Sequence, residues 1–220
     1  MISRTIHYCW FGGKRKPALV EKCMESWRRL LPEWKFKEWS EENSPINAPY
    51  VEKALKERRF AFASDYVRFH ALHSEGGVYL DTDMEIVRNL DPLLSSEFFV
   101  GRESERYINA GIVGSVRGYP LLKTIMDDLD GRAGKGFTAI PEIITDLIAA
   151  DAEANRKVQI YAPEYFYPYN PFDAARNEVG QLFYSDVTAN TFAVHHWAQS
   201  WSYTFGERMV RRMKMVFGLK

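Results

Sequence analysis

Cysteine is nearly absent: Cys9 and Cys23 are the only two in 220 residues. Two are too few for a disulfide framework or a thiolate zinc site. Cys23 falls among apolar residues at helical spacing, so buried free thiols in a reducing compartment are expected. Long apolar runs are also missing. None approaches the ~20 residues that span a bilayer, and the start, Met-Ile-Ser-Arg-Thr-Ile-His-Tyr, lacks the apolar stretch of a signal peptide. A cytoplasmic protein is the expectation. Excess charge of one sign is lacking too, with 29 Lys plus Arg against 29 Asp plus Glu. That excludes the basic footprint of a dedicated nucleic-acid binder. With no internal repeat and no low-complexity linker, one domain with a sizeable core is expected.

Aromatic residues, by contrast, make up 15% of the chain, enough for a large aromatic core with rings left over for stacking on bases or sugars. Thr5–Phe11 alternates as a strand should, and Gly12-Gly13-Lys14-Arg15-Lys16 follows as a basic loop. Pro17 then opens a helix whose apolar positions recur until Pro32. A second strand is expected over 34–39, a second helix over 50–59, and a third from Asp65 to about Ser74, with Ser64 as its N-cap and Gly76-Gly77 as its stop. Strands at 78–80, 98–100, 110–113, 158–161 and 191–195 and helices at 120–130 and 141–149 complete an α/β chain with mixed or mostly parallel strands. In such sheets ligands bind beyond the carboxyl ends of strands. Trp10 and the residues after Leu80 lie at two such ends.

After Leu80 stand Asp81-Thr82-Asp83. Side chains at i and i+2 of a strand share a face, so Asp81 and Asp83 are expected to point together, next to Tyr79. Paired hard oxygen donors suit Mn²⁺ or Mg²⁺, which fill their remaining positions with phosphate and water. Spacing alone is weak evidence, since chance supplies about half an Asp-x-Asp in a chain of this composition. A second copy, Asp128-Leu129-Asp130, lies on a helical pattern. There i and i+2 are about 200° apart and diverge.

Two further groups bear on the same chemistry. Asp65 and Arg68, three apart on the helix feeding the metal strand, form either an exposed ion pair or a site pair. In the latter, Arg68 neutralises a diphosphate and Asp65 accepts from sugar hydroxyls. His195 and His196 end the last strand, and imidazole suits Mn²⁺-like ions. Neighbours on a strand face opposite ways, so one histidine points to the metal, and His195 is the choice.

The blocks Ile6-His-Tyr-Cys-Trp-Phe-Gly-Gly13, Phe62-Ala-Ser-Asp-Tyr-Val-Arg68, Gly76-Gly-Val-Tyr-Leu-Asp-Thr-Asp83 and His195-His-Trp…Ser200-Trp201 resemble, in order, one known family. It is the DXD-containing glycosyltransferase family of bacterial capsular and surface-polysaccharide sugar transferases and fungal initiating α-mannosyltransferases. Glucosylating bacterial toxins are more distantly similar. The resemblance implies a GT-A fold, a Rossmann-like mixed central sheet flanked by helices. It also implies a UDP- or GDP-sugar donor, a divalent cation and retention of anomeric configuration. By motif, Trp10 would stack on the base, with Tyr8 and Tyr79 also at the donor. Asp65 and Arg68 would hold the donor sugar and diphosphate, and Asn109 would sit near the transferred sugar. Asp81 would meet the ribose and the metal's water shell, Asp83 and His195 would ligate the metal, and Ser200 and Trp201 would touch the diphosphate. Many relatives carry Gly where this chain has Gln199, which leaves the donor-clamping loop the least secure part of the carry-over.

The expected domain is 1–204, followed over 205–220 by a segment in which five basic residues and one acid interleave with Met, Val, Phe and Leu. This reads either as a packing helix or as a peripheral membrane contact, where each basic residue near anionic lipid adds about 1 kcal/mol. A glycan acceptor, lipid-linked if the tail docks, goes with the second reading. The leading expectation is a metal-dependent hexosyltransferase. A metal-dependent phosphoester hydrolase and a non-catalytic nucleotide-sugar-binding module are the alternatives.

Overall fold

The computed structural model describes residues 1–150, 156–173 and 179–198. In chain order its elements are β1 (Thr5–Cys9), α1 (Ala18–Leu30), β2 (Lys35–Trp39), α2 (Pro49–Lys56), α3 (Phe60–Glu75), β3 (Gly77–Leu80), β4 (Met84–Ile86), β5 (Phe98–Arg102), β6 (Ile108–Ser115), α4 (Pro120–Arg132), α5 (Ile140–Ala150), β7 (Val158–Tyr161), α6 (Pro163–Phe166) and β8 (Ala193–His195). Six strands form one sheet in the order β2-β1-β3-β6-β5-β7, and β4 and β8 form a separate ribbon. β1 runs parallel to β2 and β3, β6 is antiparallel to β3 and β5, and β7 is parallel to β5. The sheet is therefore mixed, as expected.

Alternation along the strands divides the core into two layers. Ile6, Val78, Leu80 and Ile112 pack with Val20, Met24 and Trp27 of α1 on one face. Cys9, Tyr79, Ala110 and Val113 pack with α2–α5 on the other. Both cysteines are free and buried. No helix among the described residues is long and apolar enough to cross a membrane.

The third helix departs from expectation. It starts at Phe60, and Ser64 lies inside it, donating its hydroxyl to the Phe60 carbonyl at 3.1 Å. A serine inside a helix satisfies itself on the i−4 carbonyl, so the residue type that favours caps here marks no boundary. The stop is as expected: Gly76 (φ +67) and Gly77 (φ +120) turn the chain into β3. A side chain at Gly77 would bring a Cβ to 2.6 Å from the Thr5 carbonyl oxygen.

That turn is fastened by a wholly buried histidine. His7 donates through Nε2 to the Gly76 carbonyl (2.9 Å) and accepts at Nδ1 from the Trp39 indole (3.0 Å). One neutral tautomer thus ties β1, β2 and the end of α3. Burial lowers the pKa of His7 below its ordinary 6.5, outweighing the pull of the Gly76 carbonyl and of Glu75. The unfolded chain binds the proton more readily, so this contribution is full above pH 6.5 and is lost as pH falls from there through the folded value. Urea midpoints between pH 8 and pH 5 should fall more steeply for the wild type than for His7→Gln. Equal slopes would show that the His7 proton does not control stability.

Candidate metal and donor site

β1 and β3 are parallel neighbours, so Trp10 and Asp81 leave the sheet along one edge. The strand stops at Leu80, and the two carboxylates are not brought together by strand alternation as the sequence suggests. Asp81 N–H donates to the Gly111 carbonyl (2.7 Å) and Met84 N–H donates to the Asp81 carbonyl (3.0 Å). A tight turn over Asp81–Met84 therefore aims both acids. The turn feeds β4, whose partner β8 sets Met84 opposite His195. Trp27 of α1 holds the ribbon from behind, donating its indole N–H to the Met84 carbonyl at 2.7 Å.

His195 is thereby delivered to the acids. One ligand atom each from Asp81, Asp83 and His195 lies within 4.8 Å of the others. His195 Nε2 is 3.2 Å from Asp83 Oδ1, and Ala198 N–H donates to Asp83 Oδ2 at 2.8 Å. His196 turns the other way, to Glu85 at 2.9 Å, as alternation along the strand predicts. Burial opposes the charge on Asp83, but His195 and the Ala198 amide win and hold its carboxyl down at about 2. His195 is raised in turn: burial works against its charged form, and Asp83 outweighs it. The Nδ1 of His195 is buried with no partner among the described residues. Two carboxylates and an imidazole converging this closely offer a mixed oxygen and nitrogen donor set that could hold a divalent cation.

Behind the acids lies Arg68, buried at 4% exposure. It donates to Asp65 Oδ1 (2.6 Å) and the Ala110 carbonyl (2.7 Å) and stands 3.4 Å from Asp81 Oδ1. Its guanidinium lies 4.8 Å from the centre of the Tyr79 ring, and Tyr79 OH donates to Asp81 Oδ1 at 3.0 Å. The exposed ion pair considered as one reading of Asp65 and Arg68 is thus excluded. Burial holds the Asp65 carboxyl up near 7 against the pull of Arg68, with Asp81 adding to the rise. Asp81 is also pushed up, by burial first, with Arg68 opposing. Three acids thus share one guanidinium and one histidine.

Asn109 reaches the same place through an irregularity in the sheet. Val100 pairs with Val113, yet Gly101 pairs with Asn109, so β6 carries extra residues against β5. Such bulges re-aim side chains beside functional sites. The Asn109 amide oxygen accepts from Gly111 N–H (2.6 Å), and its nitrogen donates to Glu103 Oε2 (2.5 Å). A Cβ at Gly111 would lie 3.2 Å from Asn109 Oδ1, from Asp81 Oδ2 and from Tyr167 OH, so these three groups surround one point. Tyr167 OH accepts from Ile112 N–H at 3.2 Å. Neither Glu103 nor Tyr167 emerges from the sequence. Glu103 belongs to no motif, and Tyr167 is one ring in an aromatic run.

Of the remaining candidates, Trp10 is partly buried and donates its indole N–H to the Lys14 carbonyl (2.6 Å) with the Lys16 ammonium 5.4 Å from the ring. Tyr8 is buried, edge-on to Trp27. Ser200, Trp201, Gln199 and the basic segment 205–220 lie outside the described residues. The second Asp-x-Asp behaves as helical geometry requires: Asp128 pairs with Arg132, and Asp130 accepts from Tyr50 N–H and Tyr66 OH.

Residues 17–100, which include Asp65, Arg68, Asp81 and Asp83, match the profile of the family described as glycosyltransferase sugar-binding region containing DXD motif. Over this stretch the chain is similar to that DXD sugar-binding region. Over 218 residues the chain is 25% identical to the inositol phosphoceramide mannosyltransferase 3 of Schizosaccharomyces pombe, an alignment covering 90% of the chain and 60% of that relative. It is 26% identical over 141 residues to an uncharacterised glycosyltransferase, L373, of Acanthamoeba polyphaga mimivirus, covering 59% of the chain and 56% of that protein. The chain thus spans less than two thirds of both. Among solved structures, the galactosyltransferase LgtC with donor and acceptor sugar analogues superposes with a TM-score of 0.52 at 12% identity, over 97% of this chain and 95% of that one. The UDP-bound glycosyltransferase domain of the YGT toxin superposes with a TM-score of 0.54 at 10% identity, over 84% and 88%. The fold is of the GT-A type.

Saturating Mn²⁺ at about 100 times its Kd should stabilise the wild type by about 2.7 kcal/mol. A thermal-shift assay should lose that gain in Asp83→Asn and His195→Ala and keep it in Asp128→Asn. Arg68→Ala strands the buried Asp65 carboxylate and the half-buried Asp81 and should cost about 3–5 kcal/mol in urea unfolding at pH 8. A loss below about 1 kcal/mol would show that the clamp is not structural.

Proposed function

We propose that this chain is a metal-dependent, retaining glycosyltransferase that moves a hexose from a nucleotide-diphospho-sugar to a cell-surface glycan acceptor. The observation that carries the reading is the convergence of Asp81, Asp83 and His195 inside a DXD region, at the sheet edge where Trp10 also emerges. Asp83 and His195 would hold Mn²⁺ or Mg²⁺, with Asp81 beside them. A cation there would supply positive charge to the diphosphate as the sugar leaves it. Arg68 and Tyr79 hold the Asp81 carboxylate, and in this reading Asp65 and Asn109 would meet sugar hydroxyls and Trp10 would offer its ring to the base. Retention would fit a leaving phosphate oxygen that itself takes the acceptor's proton as the sugar–phosphate bond breaks.

The curated relative acts, by its name, as a mannosyltransferase on inositol phosphoceramide, so GDP-mannose and lipid-linked head groups are the first donor and acceptor to test. UDP-hexoses and capsular glycans come second. A chain that serves a lipid-linked acceptor would work at the inner face of the cell membrane, with segment 205–220 as its contact.

Incubated with Mn²⁺ and a panel of nucleotide sugars but no acceptor, the wild type should slowly release nucleoside diphosphate from one donor. Asp83→Asn should lower that rate at least 100-fold. Donor binding without turnover, even with acceptor present, would make the chain a binding module. Turnover of simple phosphoesters with no donor preference would make it a hydrolase.

A further inference from the structure

The side-chain amide of Asn109 is held at both ends before any substrate arrives, and the group that holds its nitrogen, Glu103, stands in no motif of the chain. Gly111 N–H donates to the amide oxygen at 2.6 Å. An N–H can face only an acceptor, so the oxygen lies on that side and the nitrogen on the other. There the nitrogen donates to Glu103 Oε2 at 2.5 Å. An ionised carboxylate suits that place because it accepts and has no hydrogen to offer. The reversed amide would set nitrogen against N–H and oxygen against carboxylate, so the two contacts together allow one orientation.

Glu103 is itself firmly placed, at the point where β5 turns back into β6. Its N–H donates to the Tyr107 carbonyl at 2.9 Å, and its carbonyl accepts from the buried Asn170 amide at 3.1 Å. A carboxylate fixed at a hairpin end is thus aimed at a side chain that the register slip of β6 delivers. The bare backbone of Gly111 connects this amide to the acids. A Cβ there would meet Asn109 Oδ1 and Asp81 Oδ2 alike, each at 3.2 Å. Both groups therefore lie within reach of one bound sugar residue.

We infer that Glu103 is a positioning residue, which fixes the Asn109 amide in the orientation that meets the transferred sugar and acts through Asn109 rather than on the substrate. This rests on the transferase reading above and extends it to a residue outside every motif. Displacing a group that orients the reacting sugar slows the chemical step more than it weakens binding, so the loss falls on kcat.

The test is a double-mutant cycle on the full chain, read as nucleoside diphosphate release with Mn²⁺ and the nucleotide sugar that the wild type turns over. Glu103→Ala and Asn109→Ala should each lower kcat at least tenfold while the donor KM moves less than threefold. Glu103→Gln keeps an acceptor oxygen for the amide and should stay within threefold of the wild type. In the Asn109→Ala background, Glu103→Ala should cost less than a further twofold, because a residue that acts through another has nothing left to act on. Glu103→Met, of similar volume but with no oxygen acceptor, should match Glu103→Ala and keeps the cycle readable if truncation unfolds the chain. Both variants should retain the Mn²⁺ gain in the thermal-shift assay. Losses that multiply in the double variant, a Glu103→Ala rate equal to the wild type, or a Glu103→Gln rate as low as Glu103→Ala would overturn the inference and leave the transferase reading intact. So would loss of the Mn²⁺ gain in both variants, which would make Glu103 a part of the fold. A wild type that turns over no nucleotide sugar would remove the transferase reading, and this inference with it.

Discussion

One buried guanidinium organises this molecule. Arg68 sits on α3, yet its hydrogen bonds reach the carboxylate of its own helix at Asp65 and the backbone of β6 at Ala110, and its charge reaches Asp81 beyond β3. Only a planar, permanently charged fork satisfies partners in three directions at once. Because the charge is out of water, each partner is bound by the cost of leaving it unpaired. The position of Asp81, and through it the geometry of the acid turn, follows from where α3 lies against the sheet. The His7 and Gly76 contacts fix that helix end in turn.

The site therefore combines rigid and borrowed parts. Asp65 and Arg68 come from α3 where it packs on the centre of the sheet, Tyr79 from β3 and Asp81 from the turn that follows it. Asp83 and His195 come from the β4–β8 ribbon, which has its own pairing and leans on Trp27 of α1. Asn109 arrives through a slip in strand register. Three mechanisms of placement thus converge on a few ångströms, and each tolerates different substitutions around it.

Much of this could be read from residues alone. Alternation marked the strands, and the double glycine marked the end of α3 because left-handed backbone is a local property of Gly76 and Gly77. The acid pair, Arg68 and His195 were visible as motifs, and strand alternation separated His195 from His196. Less legible was how things meet. Ser64 looked like a cap because caps and i−4 back-bonds use the same hydroxyl. Asp81 and Asp83 converge through a turn, although a strand gave the same expectation for a different reason. Glu103 and Tyr167 left no trace, since their roles come from tertiary neighbours separated from them by up to dozens of residues.

The separation of Asp83 from His195, 112 positions along the chain, has a consequence for how the molecule forms. A contact of that span carries a large loop-closure cost and arrives late, after local helices and hairpins exist. The cluster is complete only when the ribbon has closed over the finished sheet. Partly folded chains then lack the full donor set, and a divalent cation held by that set would discriminate against them. By mass action, cation concentration would then become a term in the folding equilibrium itself, and the three side chains proposed to hold the cation would also report that folding has finished.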